Sequence, residues 1–165
     1  MNNVQSAQEL QLVAFRLGRE EYGLPINKVQ EINRLTPVTK LPQAPSFMEG
    51  IINLRGRIIP IIDLRKRFGL EAENKDETRI IIVDINSQIV GIIVDAVTEV
   101  MRLPATSIEP PPPSFILDAE YIDGVGKLAD RLLILLNIDK VLTSQENIVL
   151  KQLDTSGDLC VEAES

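Results

Sequence analysis

The chain matches itself at two fixed offsets, and this repetition limits the folds open to it more than any other feature. At a displacement of 68 residues Gly23 falls on Gly91, Val29 on Val97, Glu31 on Glu99, Arg34 on Arg102 and Leu35 on Leu103, with no gap. At a displacement of 74 residues Gly50 falls on Gly124, Leu54 on Leu128, Arg57 on Arg131 and Lys66 on Lys140, and Ile58-Ile59 falls on Leu132-Leu133. Apolar β sequences match one another cheaply, so the glycines and the constant offset carry the weight. They imply two similar β lobes in series, about 10–70 and 78–143. A lobe of about five short strands cannot leave its edges open, so each is expected to curl into a small barrel. Two such lobes bury aliphatic faces against each other, and the groove between them is a natural place for a partner.

Within the first lobe, Gly50 to Leu64 reads as two strands that reverse at Arg55-Gly56. Ile51, Ile52 and Leu54 lead in, and Ile58, Ile59, Ile61 and Ile62 lead out. Branched side chains suit a pleated, buried surface, and Gly56 is free to take the positive φ of a tight turn. Pro60 lacks a ladder donor, which predicts an edge strand or a bulge there. Asn53, Arg55 and Asp63 interrupt the apolar run. They read either as strand terminators and caps or as the marks of a binding surface.

Along the rest of the chain, residues 1–9 are polar and read as a flexible start. Leu10–Leu17 reads as a strand buried on both faces, and Tyr22–Ile26 as its return after a turn at Gly18-Arg19. A short helix at 27–31 and a strand end are both open readings. Pro37, Pro42 and Pro45 make 36–46 extended, and Ser46 reads as the cap of one turn over 47–49. Leu64–Phe68 predicts a short helix stopped at Gly69. Hairpins follow at 79–94 and 122–136, with a strand from Asp95 to Leu103 between them. Pro110–Pro113 reads as a stiff spacer. Short helices are predicted at 137–142 and 144–153, and 154–165 is a loose acidic tail.

Composition narrows the function. Net charge is −7, with Lys+Arg 17 against Asp+Glu 24, which argues against a polyanion-binding face. The run Arg65-Lys66-Arg67 reads as a solvated helix face. There is no histidine, so no Ser-His-Asp or Cys-His site and no usual zinc site is possible within the chain. No cofactor or metal is expected. Cys160 is the one cysteine, so no internal disulfide forms, in keeping with a reducing cytosol. No signal peptide or membrane span is visible.

Several segments then become familiar together. Phe15-Arg-Leu-Gly-Arg-Glu-Glu-Tyr-Gly23, Lys28-Val-Gln-Glu-Ile32, Gly50-Ile-Ile-Asn-Leu-Arg-Gly56 with Pro60-Ile-Ile-Asp-Leu64, Gly91-Ile-Ile-Val-Asp95 and Tyr121-Ile-Asp-Gly-Val-Gly126 resemble the bacterial chemotaxis coupling protein (CheW) family. The resemblance runs over about 10–153. It implies an all-β fold with a few short helices, two five-stranded SH3-like barrels packed together. It implies a cytoplasmic adaptor, monomeric in isolation and without catalysis. Such an adaptor couples the cytoplasmic tips of chemoreceptors to the regulatory domain of the histidine kinase CheA in membrane-associated arrays. On the matching positions it implies receptor-facing Val29, Gly50, Asn53, Leu54, Arg55 and Val100, and kinase-facing Glu31, Ile32 and Val38. Arg55 carries a donor fork suited to a carboxylate, and Glu31 is the expected partner.

Three rival readings remain. Asp63, Asp95 and Asp123 are the carboxylates an enzyme would use, but no nucleophile elbow, phosphate loop or metal spacing accompanies them. A nucleic-acid-binding barrel wants basic and aromatic surface that this chain lacks. A regulatory module of a larger signalling protein, either the kinase or a receiver-fused coupling protein, has the same local sequence. With no receiver or kinase sequence by residue 165, a stand-alone adaptor is the favoured expectation.

Overall fold

A computed structural model describes residues 9–85, 87–111 and 121–141. Their branched aliphatic runs form β1 (Glu9–Leu17), β2 (Glu20–Pro25), β3 (Val29–Arg34), β4 (Met48–Leu54), β5 (Arg57–Asp63) and β6 (Arg79–Ile85). They continue as β7 (Gln88–Val94), β8 (Ala96–Pro104), β9 (Ile108–Glu109), β10 (Ile122–Lys127) and β11 (Leu132–Leu136). Short helices follow β5 (Leu64–Arg67) and β11 (Ile138–Val141), and 3-10 turns at Ile26–Lys28 and Ala105–Ser107 lead into β3 and β9. The fold is all-β with a few short helices, as expected. The stretch 27–31, read as a short helix or a strand end, divides between the 3-10 turn and β3. Met48 and Glu49 already belong to β4, and the turn expected over 47–49 closes earlier, through Ser46 and Phe47, with the Met48 N–H donating to the Pro45 carbonyl at 2.9 Å. The expected Ser144–Leu153 helix, most of the flexible start, the 154–165 tail and part of the Pro110–Pro113 spacer lie outside the described residues.

One sheet has the order β3-β6-β7-β5-β4, the other β8-β1-β2-β11-β10-β9. The first draws on the middle of the sequence and is called the inner barrel here. The second joins both ends and is called the outer barrel. Each curls closed. Beyond β3, Thr39 and Ile51 exchange backbone hydrogen bonds of 2.9 Å, returning the chain to the β4 edge. Beyond β8, β9 pairs with β10 at the far edge of the outer sheet. The inner barrel has the expected five strands, and the outer has a sixth, the two-residue β9.

The repeat is present, but the sheets do not follow it in series at 10–70 and 78–143. The repeat equates β1 to β5 with β6, β7, β8, β10 and β11 in turn. Each barrel takes the first two strands of one repeat and the last three of the other. The exchange is sealed by two equivalent parallel pairings. Ile61 of β5 stands beside Gly91 of β7, and Leu135 of β11 stands beside Gly23 of β2. The matching extends to loops: Asp63 N–H donates to the Phe47 carbonyl at 2.8 Å, and Asn137 N–H to the Tyr121 carbonyl at 2.8 Å.

β5 is therefore an interior strand, and the edge or bulge expected at Pro60 is not found. The two-residue turn makes Leu54 and Arg57 a hydrogen-bonded pair, and alternation places the Ile51–Pro60 pair at a non-bonded position. The Pro60 nitrogen faces away from β4, and the ladder to β7 begins only at Ile61.

Side-chain alternation then creates three cores. Ile52, Ile59, Ile61, Ile80, Ile82 and Ile93 fill the inner barrel. Leu12, Ala14, Leu103, Leu133 and Leu135 fill the outer one. The opposite faces of the same strands, with Phe15, Tyr22, Ile62, Val83, Ile92 and Leu136 among them, meet between the barrels in the largest cluster. Burial of an aliphatic side chain contributes about 1.5–3 kcal/mol. The contact between barrels is thus a third core, and the barrels do not hang on a linker.

Candidate functional site

The β4–β5 reversal brings together Asn53, Leu54, Arg55 and Glu31. Arg55 has φ 52° and Gly56 has φ 85°, so both central residues of the turn are left-handed. That geometry matches strand twist, and Gly56 adopts it freely. Arg55 does so at a cost of about 1–2 kcal/mol. Asn53 Oδ1 accepts from the Gly56 N–H at 2.8 Å and fixes the turn. The arrangement points Arg55 at β3, where its guanidinium makes a two-pronged contact with Glu31. The expected Glu31–Arg55 pair therefore forms. The Arg55 hydrogen bond, with a smaller one from Asn33, holds the Glu31 carboxyl below its ordinary pKa, and Glu31 raises that of Arg55.

Gly50 lies two strand positions behind Ile52 on β4, with φ 146°. A Cβ there would lie 2.0 Å from the Thr39 carbonyl oxygen and 2.9 Å from a Val38 methyl. Only glycine lets the barrel close at that point. Val38, expected to face the kinase, thus sits against Gly50, expected to face the receptor.

Strand alternation on β3 turns Glu31 toward Arg55 and leaves Ile32 exposed at 38%. Ile58, opposite Asn53, is exposed at 64%. Val29 begins β3 and packs on the core between the barrels. Val100 is not with the others. It lies on β8 of the outer barrel, paired with Val13, and is exposed at 56%. It is the repeat equivalent of Ile32, as Leu132, exposed at 59%, is of Ile58. The structure thus joins Asn53, Leu54, Arg55 and Glu31 at the β4–β5 turn, sets Gly50 against Val38 near the start of β4, and places Val100 on the other barrel at the position equivalent to Ile32.

Charged residues that sequence reasoning missed lie at the ends of β5 and β11. Arg65 is 1% exposed, so the solvated-face reading of Arg65-Lys66-Arg67 fails for Arg65, while Lys66 is exposed. Its guanidinium donates to both Asp63 oxygens at 2.9 Å, to Asp95 at 3.2 Å, to Asn74 at 2.8 Å and to the Glu73 carbonyl at 2.9 Å. Asp63 also caps the helix by accepting from the Arg65 N–H at 3.0 Å. Asp95 accepts from the Gly18 N–H at 2.7 Å. Burial acts to lower the Arg65 pKa, and Asp63 and Asp95 outweigh it, so the net shift is upward. At the matching place in the other half, Lys28 donates to Asp139 at 2.9 Å. Two of the three candidate catalytic aspartates, Asp63 and Asp95, are thus committed to Arg65, and Asp123 accepts from Asn137 at 3.0 Å. Arg131 joins Glu21 at 2.5 Å and Glu99 at 2.7 Å. The offsets of 68 and 74 were a usable signal here, because they equate Glu99 with Glu31 and Arg131 with Arg57.

Two fused aliphatic barrels carry an ion pair on a strained, exposed turn and branched side chains at matching ends. No group of His, Cys, Asp or Glu suited to a metal occurs among the described residues. This is the build of a protein that acts by contact with other proteins. The chain belongs to the CheW-like domain family, whose profile matches residues 11–146. It is 44% identical over 138 residues to the chemotaxis protein CheW of Klebsiella aerogenes, covering 82% of this chain and 83% of that protein. It is 40% identical over 135 residues to the chemotaxis protein CheW of Helicobacter pylori, covering 81% of each. The crystal structure of the scaffolding protein TtCheW from Thermoanaerobacter tengcongensis superposes with a TM-score of 0.77 at 43% identity, covering 83% of this chain and 94% of that one. The chain is accordingly a chemotaxis adaptor of the scaffold type and not an enzyme. Among the described residues no helix is long and apolar enough to cross a membrane.

Proposed function

We propose that this adaptor couples the cytoplasmic tips of chemoreceptors to the regulatory domain of the histidine kinase CheA, and is recruited from the cytoplasm to receptor arrays. The Arg55 turn carries the reading. A left-handed arginine is retained where glycine would fit without strain, and its exposed guanidinium is held by Glu31. Stability alone does not favour such a residue, so its presence supports a contact role. Receptor contact is assigned to Gly50, Asn53, Leu54 and Arg55, with Val29 and Val100. Kinase contact is assigned to Glu31, Ile32 and Val38. Exposed Ile32 and Ile58 supply apolar area beside the ion pair. No nucleic acid, membrane insertion, metal or cofactor enters this reading, and the isolated protein is monomeric.

The test is a three-way capture with a receptor cytoplasmic tip and the kinase regulatory domain. Arg55→Ala is expected to lose receptor capture and keep the kinase domain. Ile32→Asp is expected to do the reverse. Reversal of Arg55 to Glu with restoring reversal of Glu31 to Arg is expected to recover binding beyond either single change. Wild-type protein that captures neither partner would end the proposal.

A further inference from the structure

The two strand exchanges are closed by ion pairs of opposite polarity. Where β5 ends beside β7, the cation Arg65 follows β5 and the anion Asp95 follows β7, 3.2 Å apart. Where β11 ends beside β2, the anion Asp139 follows β11 and the cation Lys28 follows β2, 2.9 Å apart. The offset of 74 equates Asp139 with Arg65, and Lys28 lies one residue past the position that the offset of 68 assigns to Asp95. Equivalent sites thus carry inverted charge.

We propose that this inverted polarity selects the exchanged topology over the one in which each repeat closes on itself. In the unexchanged arrangement β5 would lie beside β2 and β11 beside β7. Arg65 would then meet Lys28, and Asp139 would meet Asp95. Both junctions would bring like charges together where the native fold brings opposite ones, and Arg65 would enter its 1%-exposed site without Asp95. Two other sets of equivalent contacts are neutral. The core residues exchanged are aliphatic on both sides, Ile59 and Ile61 for Leu133 and Leu135. Glu21, now paired with Arg131, would find Arg57 instead. Charge at the junctions thus tells the halves apart, beside the size difference of Phe15 and Tyr22 against Val83 and Val90 in the central core. The same polarity opposes pairing of two first halves, or two second halves, from neighbouring copies.

The test uses the full chain with Cys160→Ser. Cysteines at 21 and 131 report the exchanged topology, since Glu21 and Arg131 are in contact. Cysteines at 21 and 57 report the unexchanged one. Each pair is placed in the native charge set and with Lys28→Asp/Asp139→Lys, which gives both topologies two matched junctions. Protein is unfolded, refolded and treated with a short thiol cross-linker, and the intramolecular product is read by mass. The native charge set is expected to give the 21–131 product alone. The reversed set is expected to give the 21–57 product as well. If the reversed set refolds to the 21–131 product alone, junction charge does not select the topology. If that variant does not refold, Asp139→Lys alone leaves each topology one matched and one like-charged junction, and its products decide the question in the same way.

Discussion

The β4–β5 turn of the inner barrel and the β10–β11 turn of the outer barrel occupy equivalent places and are built differently. The first passes through left-handed Arg55 and Gly56, whereas the second, at Ala129-Asp130, is made without a positive-φ residue and is closed by Leu128 N–H to the Arg131 carbonyl at 2.9 Å. The contrast repeats at the strand junctions. Arg65 is buried within a network of five side-chain hydrogen bonds, whereas Lys28 and Asp139 share one bond and are each about one-third exposed. One fold made twice thus has one barrel that carries a strained surface turn and a deeply tied junction, and one that carries neither. The two sit at opposite ends of one strand: β5 begins after the Arg55 turn and ends at Asp63, which holds Arg65.

Removing the deep tie should have the largest effect. Arg65→Met leaves Asp63 buried without its partner and should cost about 3–5 kcal/mol. Asp139→Ala should cost no more than about 1 kcal/mol. Urea denaturation compares the two, and equal losses would erase the distinction between the junctions. Next comes barrel closure. Gly50→Ala drives a Cβ to 2.0 Å from a backbone oxygen and should cost about 3 kcal/mol or more. Gly124→Ala meets the equivalent Glu109 oxygen at 3.0 Å and an Ile108 methyl at 2.7 Å, and should cost about 1–2 kcal/mol. A reversed order would show that the two closures are not equivalent in the sense described.

Smaller still is the turn. Arg55→Gly should raise stability by about 1 kcal/mol while abolishing receptor capture. Asp130→Gly should raise nothing, since no strain is present to relieve. A destabilised Arg55→Gly protein would mean that the ion pair outweighs the strain. The least effect is the pH dependence of that pair. The folded Glu31 pKa is depressed, so the pair's contribution is complete above the unfolded value of about 4.3 and is lost as pH falls through the folded value. An NMR titration should place the Glu31 midpoint below that of ordinary glutamates, with the difference shrinking in high salt.

Much of this was legible in residue order. The repeat, the reversal at Arg55-Gly56 and the hairpins follow from pattern along the chain, whereas the Glu31–Arg55 pair is suggested by the family resemblance together with the chemistry of the two side chains. The exchange does not follow from pattern, because equivalent strands look alike whether they pair within a repeat or across repeats. Parallel contacts such as Gly23–Leu135 leave no turn signal between them. Pro60 misled because a missing donor is tolerated on an interior strand when it falls at a non-bonded position. Arg65 misled because a short basic run gives no hint that Asp63 and Asp95 end neighbouring strands at the same level. Val100 was separable from the Arg55 group only through its equivalence to Ile32.

The strand exchange also orders events during synthesis. The inner barrel has all its strands once Val94 has left the ribosome, but the outer one waits for Leu136. The β1–β2 hairpin, made first, is joined to its last neighbour only when the final strand arrives. Until then its aliphatic faces stay open, and its long-range parallel pairing comes at the slow end of folding.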